Sequence, residues 1–537
     1  MSSSQPSLEE KGLTPSNEGV NVLDSEARND EYEQYLELEQ RMAGAAHRKL
    51  MRKLDFRLLP SLSLLYLLAS LDKANAGNAK LFGFLEDVGM TSNQFNLALT
   101  VLFFTYGLFE PICNVMLRRV GPKIWFPIAV TTWGLITTLT CVVKSYGGFI
   151  GIRLALGAAE ATIYPGGYLL LSMWYKPKEL ATRMSIFYGA NTAAGAFGGV
   201  IAYGVGNLDY VHGWRAWRWL FLIEGLITVF FGIMSYFMLP PFPQDYSAND
   251  RFSWLTPDEA LYARLRTKYV NGPHAPTYEF QWKDVIAAAK DRKTYFMMLM
   301  FWWGGSVPTY ALSYTLPTMV KSLGYTAIKA QALTTPPYIF ATIVCITVGV
   351  LSDRYKRRYI AIMSAYTLGL IGIIILWITV HYAGLYAVSY FAIFLAAAGY
   401  AAQAPIVGAW TAENFPNPSK RAAAIGFLML FGSIGGGSIG SNIFLGSQVS
   451  SSSRPLSSGT MLTSDTAVQA PTYPLGFGFA VGATVIGAMI PATLHYVLLV
   501  RDNRQRDQVT EEEVLNKYSP EELSRMEEHS PLFRYST

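Results

Sequence analysis

Long apolar stretches without charged residues constrain this chain more than any other feature. Residues 58–71, 124–143 and 360–380 contain no Asp, Glu, Lys or Arg. A helix of about 20 apolar residues matches the hydrocarbon thickness of a bilayer. Only 15% of the residues are charged, against about 25% in soluble domains. We therefore expect an α-helical protein embedded in a lipid bilayer.

The apolar stretches predict twelve transmembrane helices in two six-helix bundles. A polar stretch rich in Pro and charge, residues 241–292, separates the two sets. The fold class expected is thus an all-α membrane protein. The predicted helices are 54–76, 95–117, 124–143, 147–173, 184–206, 216–239, 293–320, 330–352, 359–381, 385–411, 420–446 and 475–499.

Lysine and arginine are distributed unequally between the two sides of this arrangement. The side on which residue 53 precedes the first helix carries roughly three times as many as the other, and such an excess marks cytoplasmic loops. Both termini and the central loop are therefore expected in the cytoplasm. The plasma membrane is the expected location, with a vacuolar membrane as the alternative.

The predicted organisation has five parts and one insert. The insert, residues 447–472, is rich in Ser and is expected outside the cell as a disordered loop. The parts are an N-terminal tail 1–53, an N-terminal bundle 54–240, a central loop 241–292, a C-terminal bundle 293–500 and a C-terminal tail 501–537.

Two loops at equivalent places in the halves resemble each other. Residues 349–358 read Gly-Val-Leu-Ser-Asp-Arg-Tyr-Lys-Arg-Arg, which resembles the loop signature Gly-x-Leu-x-Asp-Arg-x-x-Arg-Arg of the major facilitator superfamily. A loop Asp flanked by arginines can form charged hydrogen bonds that hold one helix arrangement. The alternative is a basic cluster that only sets topology. The predicted conformational latch comprises Gly349, Asp353, Arg354, Arg357 and Arg358.

Other stretches are similar to the anion:cation symporter branch of that superfamily, whose fungal members resemble allantoate and nicotinate permeases. The first of the two loops, residues 114–123, has Arg118 where the signature has Asp, as in that branch. Residues 71–79, 153–166 and 217–225 resemble helices 1, 4 and 6 of the branch. The resemblance covers nearly the whole span region. It implies a monomeric secondary transporter that works by alternating access without a cofactor. The implied substrate is a small organic anion, nicotinate-like or another monocarboxylate or vitamin, with protons as coupling ions.

Four ionisable residues within predicted helices carry the site hypothesis. A charge at the bilayer centre costs about 2.5 kcal/mol or more, so such residues normally face an interior cavity. Arg153 and Glu160 lie on one face of helix 4, about 10 Å apart along the axis. Arg suits a carboxylate because its planar group makes two hydrogen bonds. We predict that Arg153, with Lys73 helping, binds the substrate and that Asp72 and Glu160 carry protons, roles that the resemblance also implies.

An alternative reading of these four residues is that they form structural pairs between helices 1 and 4. Weaker candidates for substrate contact are mid-helix polar residues, each equally well explained by packing or interhelical hydrogen bonding. Glu224 is interpreted as structural, and Glu413 and Asn414 as a helix-end cap. The weaker substrate-binding candidates are Tyr106, Asn191, Tyr310 and Gln403.

Other functional classes are disfavoured by missing motifs. No Gly-x4-Gly-Lys-Ser/Thr loop and no His-x3-His or His-Glu-x2-His set occurs. We therefore expect neither an enzyme nor a nucleic-acid binder, and no catalytic or metal site. Two functions remain as alternatives to uptake, namely proton-driven export of an acidic metabolite and nutrient sensing without transport. Residues 189–199 lack the Pro typical of exporters, which favours uptake.

Overall fold

The computed structural model describes residues 30–176, 179–247, 253–269, 282–323, 325–379, 382, 384–443, 474–519, 522–523 and 526–537. The predicted insert 447–472 and most of the predicted N-terminal tail lie outside these residues.

The described residues form twelve long helical segments, named α1 to α12 here. The first half contains α1 (Ala45–Leu81), α2 (Ser92–Val120), α3 (Pro122–Leu139), α4 (Tyr146–Glu160 and Ile163–Trp174), α5 (Leu180–Gly206) and α6 (Ala216–Met238).

The second half repeats this pattern, with π-helical turns inside three of its helices. It contains α7 (Arg292–Phe301, Trp302–Ser306, Val307–Ser322), α8 (Ala327–Tyr355), α9 (Arg358–Thr379), α10 (Tyr386–Asn414), α11 (Pro418–Phe431, Gly432–Gly437, Ser438–Ile443) and α12 (Pro474–Thr484, Val485–Met489, Ile490–Arg506).

Nine of these helices, all but α4, α5 and α7, are long and apolar enough to cross a membrane within the described part of the chain. Their outward faces expose large apolar side chains such as Phe104, Leu108 and Ile128. A surface of this kind suits lipid and would associate in water. The predicted all-α membrane fold is confirmed.

Proline determines where two helices of the second half depart from regular geometry. Pro308 and Pro491 lack the amide that would bond to the carbonyl four residues earlier. The π-helical turns Trp302–Ser306 and Val485–Met489 contain those carbonyls. In both helices the irregularity occupies the turn before the proline.

Small residues bring the two halves together along α5 and α8. A Cβ added to Gly199 would lie 2.6 Å from the Gln331 carbonyl oxygen, and one added to Gly195 would lie 2.5 Å from the Tyr338 ring. Such distances leave no room for a side chain. These glycines of α5 therefore lie at the seam between the halves and permit the close approach of α8.

Three local features differ from the predictions. Helix α1 begins at Ala45, nine residues before the expected start, and α4 is interrupted at Ala161 and Thr162. The central loop, predicted only as a polar stretch, contains the helices Pro257–Lys268 and Trp282–Lys290. The first begins in a capping box in which Thr256 and Glu259 exchange hydrogen bonds of 3.0 and 3.3 Å.

The end of the molecule that carries Lys53, Arg183 and Arg358 is called the basic side below. Residues 526–537 dock there against the second half. Glu528 is 2% exposed and forms ion pairs with Lys293 and Lys420. The Ser536 hydroxyl donates to Glu413 at 2.6 Å. The C-terminal segment is thus part of the packed structure.

Candidate functional site

A cleft lies between the two halves. Helices α5 and α7, which are among the less apolar ones, supply many of its walls, since a cleft-facing helix need not match lipid. The lining residues are Tyr66, Ser70, Lys73, Ala74, Tyr106, Tyr164, Tyr188, Asn191, Gly195, Phe301, Ser306, Thr309, Tyr310, Ser313, Tyr314, Tyr338 and Ser433.

Lys73 is the one charged side chain that lines this cleft in the described part of the chain. Its ammonium nitrogen lies 3.3 Å from Oε2 of Glu160 and 4.7 Å from the centroid of the Tyr106 ring. Glu160 is fully enclosed, whereas 14% of the Lys73 side chain is exposed. The ammonium therefore stands between the cleft and a buried carboxylate.

Asp72 and Arg153 are buried near this pair and do not line the cleft. Oδ2 of Asp72 accepts a hydrogen bond of 3.1 Å from Thr137, and its Oδ1 has no partner among the described residues. The Arg153 guanidinium lies 4.8 Å from the centroid of the Phe149 ring. Lys73, and not Arg153 as predicted, is thus the cation that the cleft exposes.

Three of the four weaker candidates line the cleft. Oδ1 of Asn191 accepts a hydrogen bond of 2.7 Å from Ser70, and the Tyr310 ring stacks on Tyr314 with centroids 6.5 Å apart. Tyr106 holds the Lys73 ammonium over its ring.

Gln403, the fourth weaker candidate, is fully buried away from the cleft. Its amide donates to the Tyr400 carbonyl at 3.4 Å, and the Tyr366 hydroxyl donates to its oxygen at 3.4 Å. A Cβ on Gly305 would lie 1.8 Å from its amide nitrogen. Gln403 therefore joins helices of the second half and does not reach the space for a ligand.

Four of the tyrosines that form the walls were not singled out from the sequence. The Tyr66 ring stacks on Tyr164 and Phe187 at 5.3 and 4.7 Å. Tyrosine is abundant in this chain, so its presence in a helix gave no signal by itself. The four additional lining tyrosines are Tyr66, Tyr164, Tyr188 and Tyr338.

Glu110 was also missed, although it is a carboxylic acid within a predicted span. It is 3% exposed, and neither carboxyl oxygen has a hydrogen-bond partner among the described residues. It lies one helical turn from Tyr106 on the same face of α2. The same argument that singled out Glu160 applied to Glu110, because any ionisable group in an apolar helix needs an explanation.

The predicted latch contains an interaction between the halves on the basic side. Oδ2 of Asp353 accepts hydrogen bonds from the amide and hydroxyl of Thr182, at 2.7 and 2.5 Å. Thr182 lies in the first turn of α5, where backbone amides lack helical partners and attract negative charge. Arg358 binds Asp353 at 2.7 Å. Asp353 therefore connects α8 to the start of α5.

The other latch residues divide into two groups. A Cβ on Gly349 would lie 2.0 Å from the Ser185 hydroxyl, so this glycine permits the close approach of α8 to α5. Arg354 and Arg357 are exposed and form no ion pair in the part of the chain that the structure describes. Their predicted participation in the latch is not seen among the described contacts.

Glu413 has a different role from the predicted helix-end cap. Arg358 donates to its two carboxylate oxygens at 3.2 and 2.5 Å. Asn414 does cap its own helix, donating to the Trp410 carbonyl at 3.1 Å, and it also binds the Ser536 backbone. Glu413 therefore extends the latch towards the C-terminal segment.

The halves also meet on the opposite side of the cleft. The Asn442 amide of α11 donates to the Thr100 hydroxyl of α2 at 2.9 Å, and the Thr335 hydroxyl of α8 donates to the Ala196 carbonyl of α5 at 3.1 Å. On the basic side, the Tyr168 hydroxyl donates to the Gly408 carbonyl at 2.8 Å. Contacts between the halves thus flank the cleft on both sides.

The sequence profile of the Major Facilitator Superfamily matches residues 62–441 and 295–527 of this chain. The chain belongs to the Major Facilitator Superfamily. The chain is 63% identical over 532 residues to the MFS-type transporter cnsO of Penicillium expansum, covering 99% of each protein. It is 34% identical over 400 residues to the high-affinity nicotinic acid transporter of Saccharomyces cerevisiae, covering 74% of this chain and 72% of the relative.

Solved structures of the Major Facilitator Superfamily share the fold. A bacterial homologue of the human lysosomal transporter Spinster, inward-facing and unoccupied, has a TM-score of 0.57 at 17% identity and covers 82% of this chain and 96% of its own. The proton:xylose symporter XylE, bound to 6-bromo-6-deoxy-D-glucose, has a TM-score of 0.57 at 14% identity and covers 80% and 95%. The predicted superfamily and the resemblance to a fungal nicotinate permease are confirmed, and the protein is a multi-pass membrane transporter.

Proposed function

We propose that this transporter takes up a small organic anion together with protons by alternating access. The observation that carries the proposal is the position of Lys73. It is the charged group that the cleft exposes, and it is paired with the enclosed carboxylate of Glu160 at 3.3 Å. One ammonium thus has access both to a cargo in the cleft and to a proton acceptor behind it.

Competition for Lys73 couples the anion to the proton. While Glu160 is ionised, its carboxylate neutralises the ammonium, and an anion entering the cleft gains little. When a proton adds to a Glu160 oxygen, that carboxyl becomes neutral and the ammonium of Lys73, still protonated, is free to pair with the anion. Loss of the proton restores the original pair and expels the anion. In this scheme neither the proton nor the anion is bound stably alone.

The walls of the cleft indicate which chemical groups the transported anion carries besides its negative charge. Stacked rings of Tyr66 and Tyr164, and of Tyr310 and Tyr314, present flat apolar faces with hydroxyl groups at their edges. Ser70 and Asn191 add hydrogen-bonding groups close to Lys73. A compact monocarboxylate with a planar body fits this combination, and the relative named a nicotinic acid transporter supports it.

Asp72 and Arg153 have supporting roles in this scheme. Both are enclosed and interact electrostatically with Glu160, with opposite sign. They set the field in which Glu160 exchanges its proton, and Asp72 can hold a proton in turn because its Oδ1 has no partner among the described residues. Arg153 is not in direct contact with the cleft and so does not bind the cargo.

Alternating access requires the contacts on the two sides of the cleft to form in turn. The Asp353–Thr182 contact closes the basic side of the cleft. We propose that the protein lies in the plasma membrane with this side and both termini facing the cytoplasm. Breaking it while the contacts on the opposite side persist would open the cleft to the cytoplasm.

Uptake of labelled anions into cells lacking their own carriers tests the proposal, with nicotinate, benzoate and pantothenate as probes at several external pH values. We expect uptake of a monocarboxylate that increases as the external pH falls and stops when the proton gradient is dissipated. In Glu160→Gln a neutral amide replaces the carboxyl group. Lys73 should still bind the anion in this variant, but accumulation of the anion should no longer follow the proton gradient. Glu224→Gln, which removes another buried acid, is the matched control and should behave like the unaltered protein.

Three results would contradict the proposal. Proton-driven uptake with unchanged pH dependence in Glu160→Gln would exclude Glu160 as the coupling group. Extrusion of preloaded anion against its gradient would show an exporter. Absence of flux for every probe in either direction, with the protein at the cell surface, would favour a sensor.

A further inference from the structure

Glu110 is a buried acid of the cleft region that the coupling scheme above does not use. It is 3% exposed, and both carboxyl oxygens lack hydrogen-bond partners in the described residues. A carboxylate in such a position is costly unless a cation compensates it or a proton neutralises it. The oxygens of Glu224 are equally unpartnered, but Glu110 in addition lies one helical turn from Tyr106, over whose ring the Lys73 ammonium is held. Glu110 therefore has the surroundings of a group that gains and loses a proton.

The cation that acts on Glu110 is the one that pairs with Glu160. Lys73 holds its ammonium over Tyr106, and Glu110 lies one turn further along the same face of α2. Other titratable groups that interact with Glu110 come from α2, α4 and α7, and all are neutral thiols or phenols. In the part of the chain that the structure describes, the titratable groups that interact with Glu110 include Lys73, Tyr106, Cys113, Tyr164 and Tyr310.

We propose that Glu110 is a second proton-binding residue of the transport site, and that Lys73 controls its occupancy. With Lys73 unoccupied by cargo, the ammonium compensates both carboxylates. When an anion takes up the positive charge of Lys73, both acids lose that compensation, and each adds one proton to a carboxyl oxygen. The protons come from the compartment to which the cleft is open and leave when the anion leaves. The place of this step in the transport cycle rests on the proposed function, whereas the protonation of Glu110 does not.

Infrared difference spectra between acidic and alkaline pH, recorded on the purified full chain in lipid nanodiscs, test this directly. Protonated carboxylic acids have a carbonyl stretching band that is absent from carboxylates. We expect Glu110→Gln to lose one such band and Glu160→Gln to lose another. In Lys73→Met the Glu110 band should persist to more alkaline pH, because the compensating charge is gone. No transported substrate is needed for any of these measurements.

Glu224→Gln is the matched control. Glu224 is 2% exposed, and both its oxygens lack partners among the described residues, but the charge that acts on it is Asp72. This variant should keep the Glu110 band and its dependence on Lys73. Glu110→Asp is a second variant that retains a carboxyl group, and it should displace the band without abolishing it.

A Glu110→Gln spectrum identical to that of the unaltered protein at every pH would overturn the proposal, as would a Glu110 band whose pH range is the same in Lys73→Met. If Glu110→Gln does not fold, an unshifted band in Glu110→Asp has the same consequence. Failure of anion uptake would leave these spectra as expected, so the two proposals fail independently.

Discussion

At the scale of single residues, Lys73 and Arg153 differ in one respect, because Lys73 is exposed to the cleft and Arg153 is not. Both are cations within membrane helices, and the charge of each interacts with the Glu160 carboxylate. Only Lys73 lines the cleft in the described structure, whereas Arg153 is 2% exposed and lies against the Phe149 ring. The two positions should therefore respond differently to substitution.

We expect Lys73→Met to weaken equilibrium binding of the transported anion far more than Arg153→Met. A hydrogen bond to a charged group contributes about 1.5–3 kcal/mol, which corresponds to roughly a ten- to 150-fold increase in Kd. Binding is measured by scintillation proximity with the labelled anion identified in the uptake assay. Equal losses in the two variants, with both proteins folded, would show that Arg153 reaches the cargo in another conformation.

The sequence was sufficient to select four ionisable residues that lie close together in the structure, but it gave neither their orientation nor Glu110. Asp72, Lys73, Arg153 and Glu160 all stood out because charge within an apolar helix is costly, and the structure brings them into one buried region. Which of them faces the cleft depends on how each helix is rotated against its neighbours. One residue changes that direction by about 100°, and the packing of the other helices, which no local pattern contains, decides the rotation.

At the scale of helices, the seam between α5 and α8 depends on a glycine. Gly349→Ala should place a methyl group against Ser185, since the added Cβ would lie 2.0 Å from the hydroxyl oxygen. Overpacking of this kind costs about 1–3 kcal/mol and should shift the population towards a form in which the Asp353–Thr182 contact is broken.

Cys345 is a built-in reporter of that shift. It is fully buried at the same seam, with Sγ 3.8 Å from the Ser185 carbonyl oxygen. In a variant without the other two cysteines, Gly349→Ala should raise the rate of maleimide labelling roughly five- to 150-fold. Gly426→Ala, at a position with open space around it, should leave the rate unchanged. An unaltered rate in Gly349→Ala, or no restoration by adding Ser185→Gly, would argue against the glycine contact as the determinant of closure.

The contacts of the helix Pro257–Lys268 predict how the stability of its docking depends on pH. Burial acts to raise the pKa of Glu259, but the hydrogen bonds from Lys53 and the Thr256 amide outweigh it, so the pKa lies below its ordinary value. Docking of this helix is therefore fully stabilised above the unfolded pKa of about 4.3 and loses that contribution as the pH falls through the lower folded pKa.

Hydrogen exchange of residues 257–268 measures this stabilisation. Glu259→Gln should speed exchange at neutral pH by roughly ten- to 150-fold, corresponding to about 1.5–3 kcal/mol for a charged hydrogen bond. It should also reduce the difference between neutral and acidic pH. Asp258→Asn is the control, because 65% of the Asp258 side chain is exposed. Identical exchange in Glu259→Gln and the unaltered protein would mean that the Lys53 contact contributes no stability.

This helix also shows why the central loop was predicted incompletely. Its start carries Thr256, Pro257 and Glu259, the residues of an N-terminal capping box. The segment nevertheless lacks the apolar face of a span, and its stability comes from partners far away in the chain, such as Lys53 and Glu179. The transmembrane helices, in contrast, were predictable because the lipid itself fixes their length and apolarity.

At the scale of the whole molecule, the C-terminal segment joins the basic ends of several helices. Lys293 of α7 and Lys420 of α11 both bind Glu528, and Ser536 binds Glu413 and Asn414 of α10. Because Glu413 also binds Arg358, the segment is connected to the latch. Release of this segment should therefore affect the closed form of the transporter.

We expect Glu528→Gln to detach residues 526–537, because it leaves two buried lysine ammonium groups with Asp291 as their shared anion. Breaking a buried ion pair costs about 3–5 kcal/mol. Limited proteolysis should cut this segment much faster than in the unaltered protein, whereas Glu512→Gln, an exposed position, should change nothing. Equal cleavage rates in Glu528→Gln and the unaltered protein would show that other contacts suffice to hold the segment.

If one ammonium is shared by two acids as proposed, membrane voltage acts on one half of the transport cycle. With cargo aboard, Lys73 and the anion would cancel and the two protonated acids would be neutral, so the loaded carrier would cross without net charge. Unloaded, the same three side chains sum to one negative charge. An interior-negative potential of 100 mV then favours the return of the empty carrier by about 2.3 kcal/mol. Membrane voltage would thus accelerate the resetting of the carrier rather than the passage of its cargo.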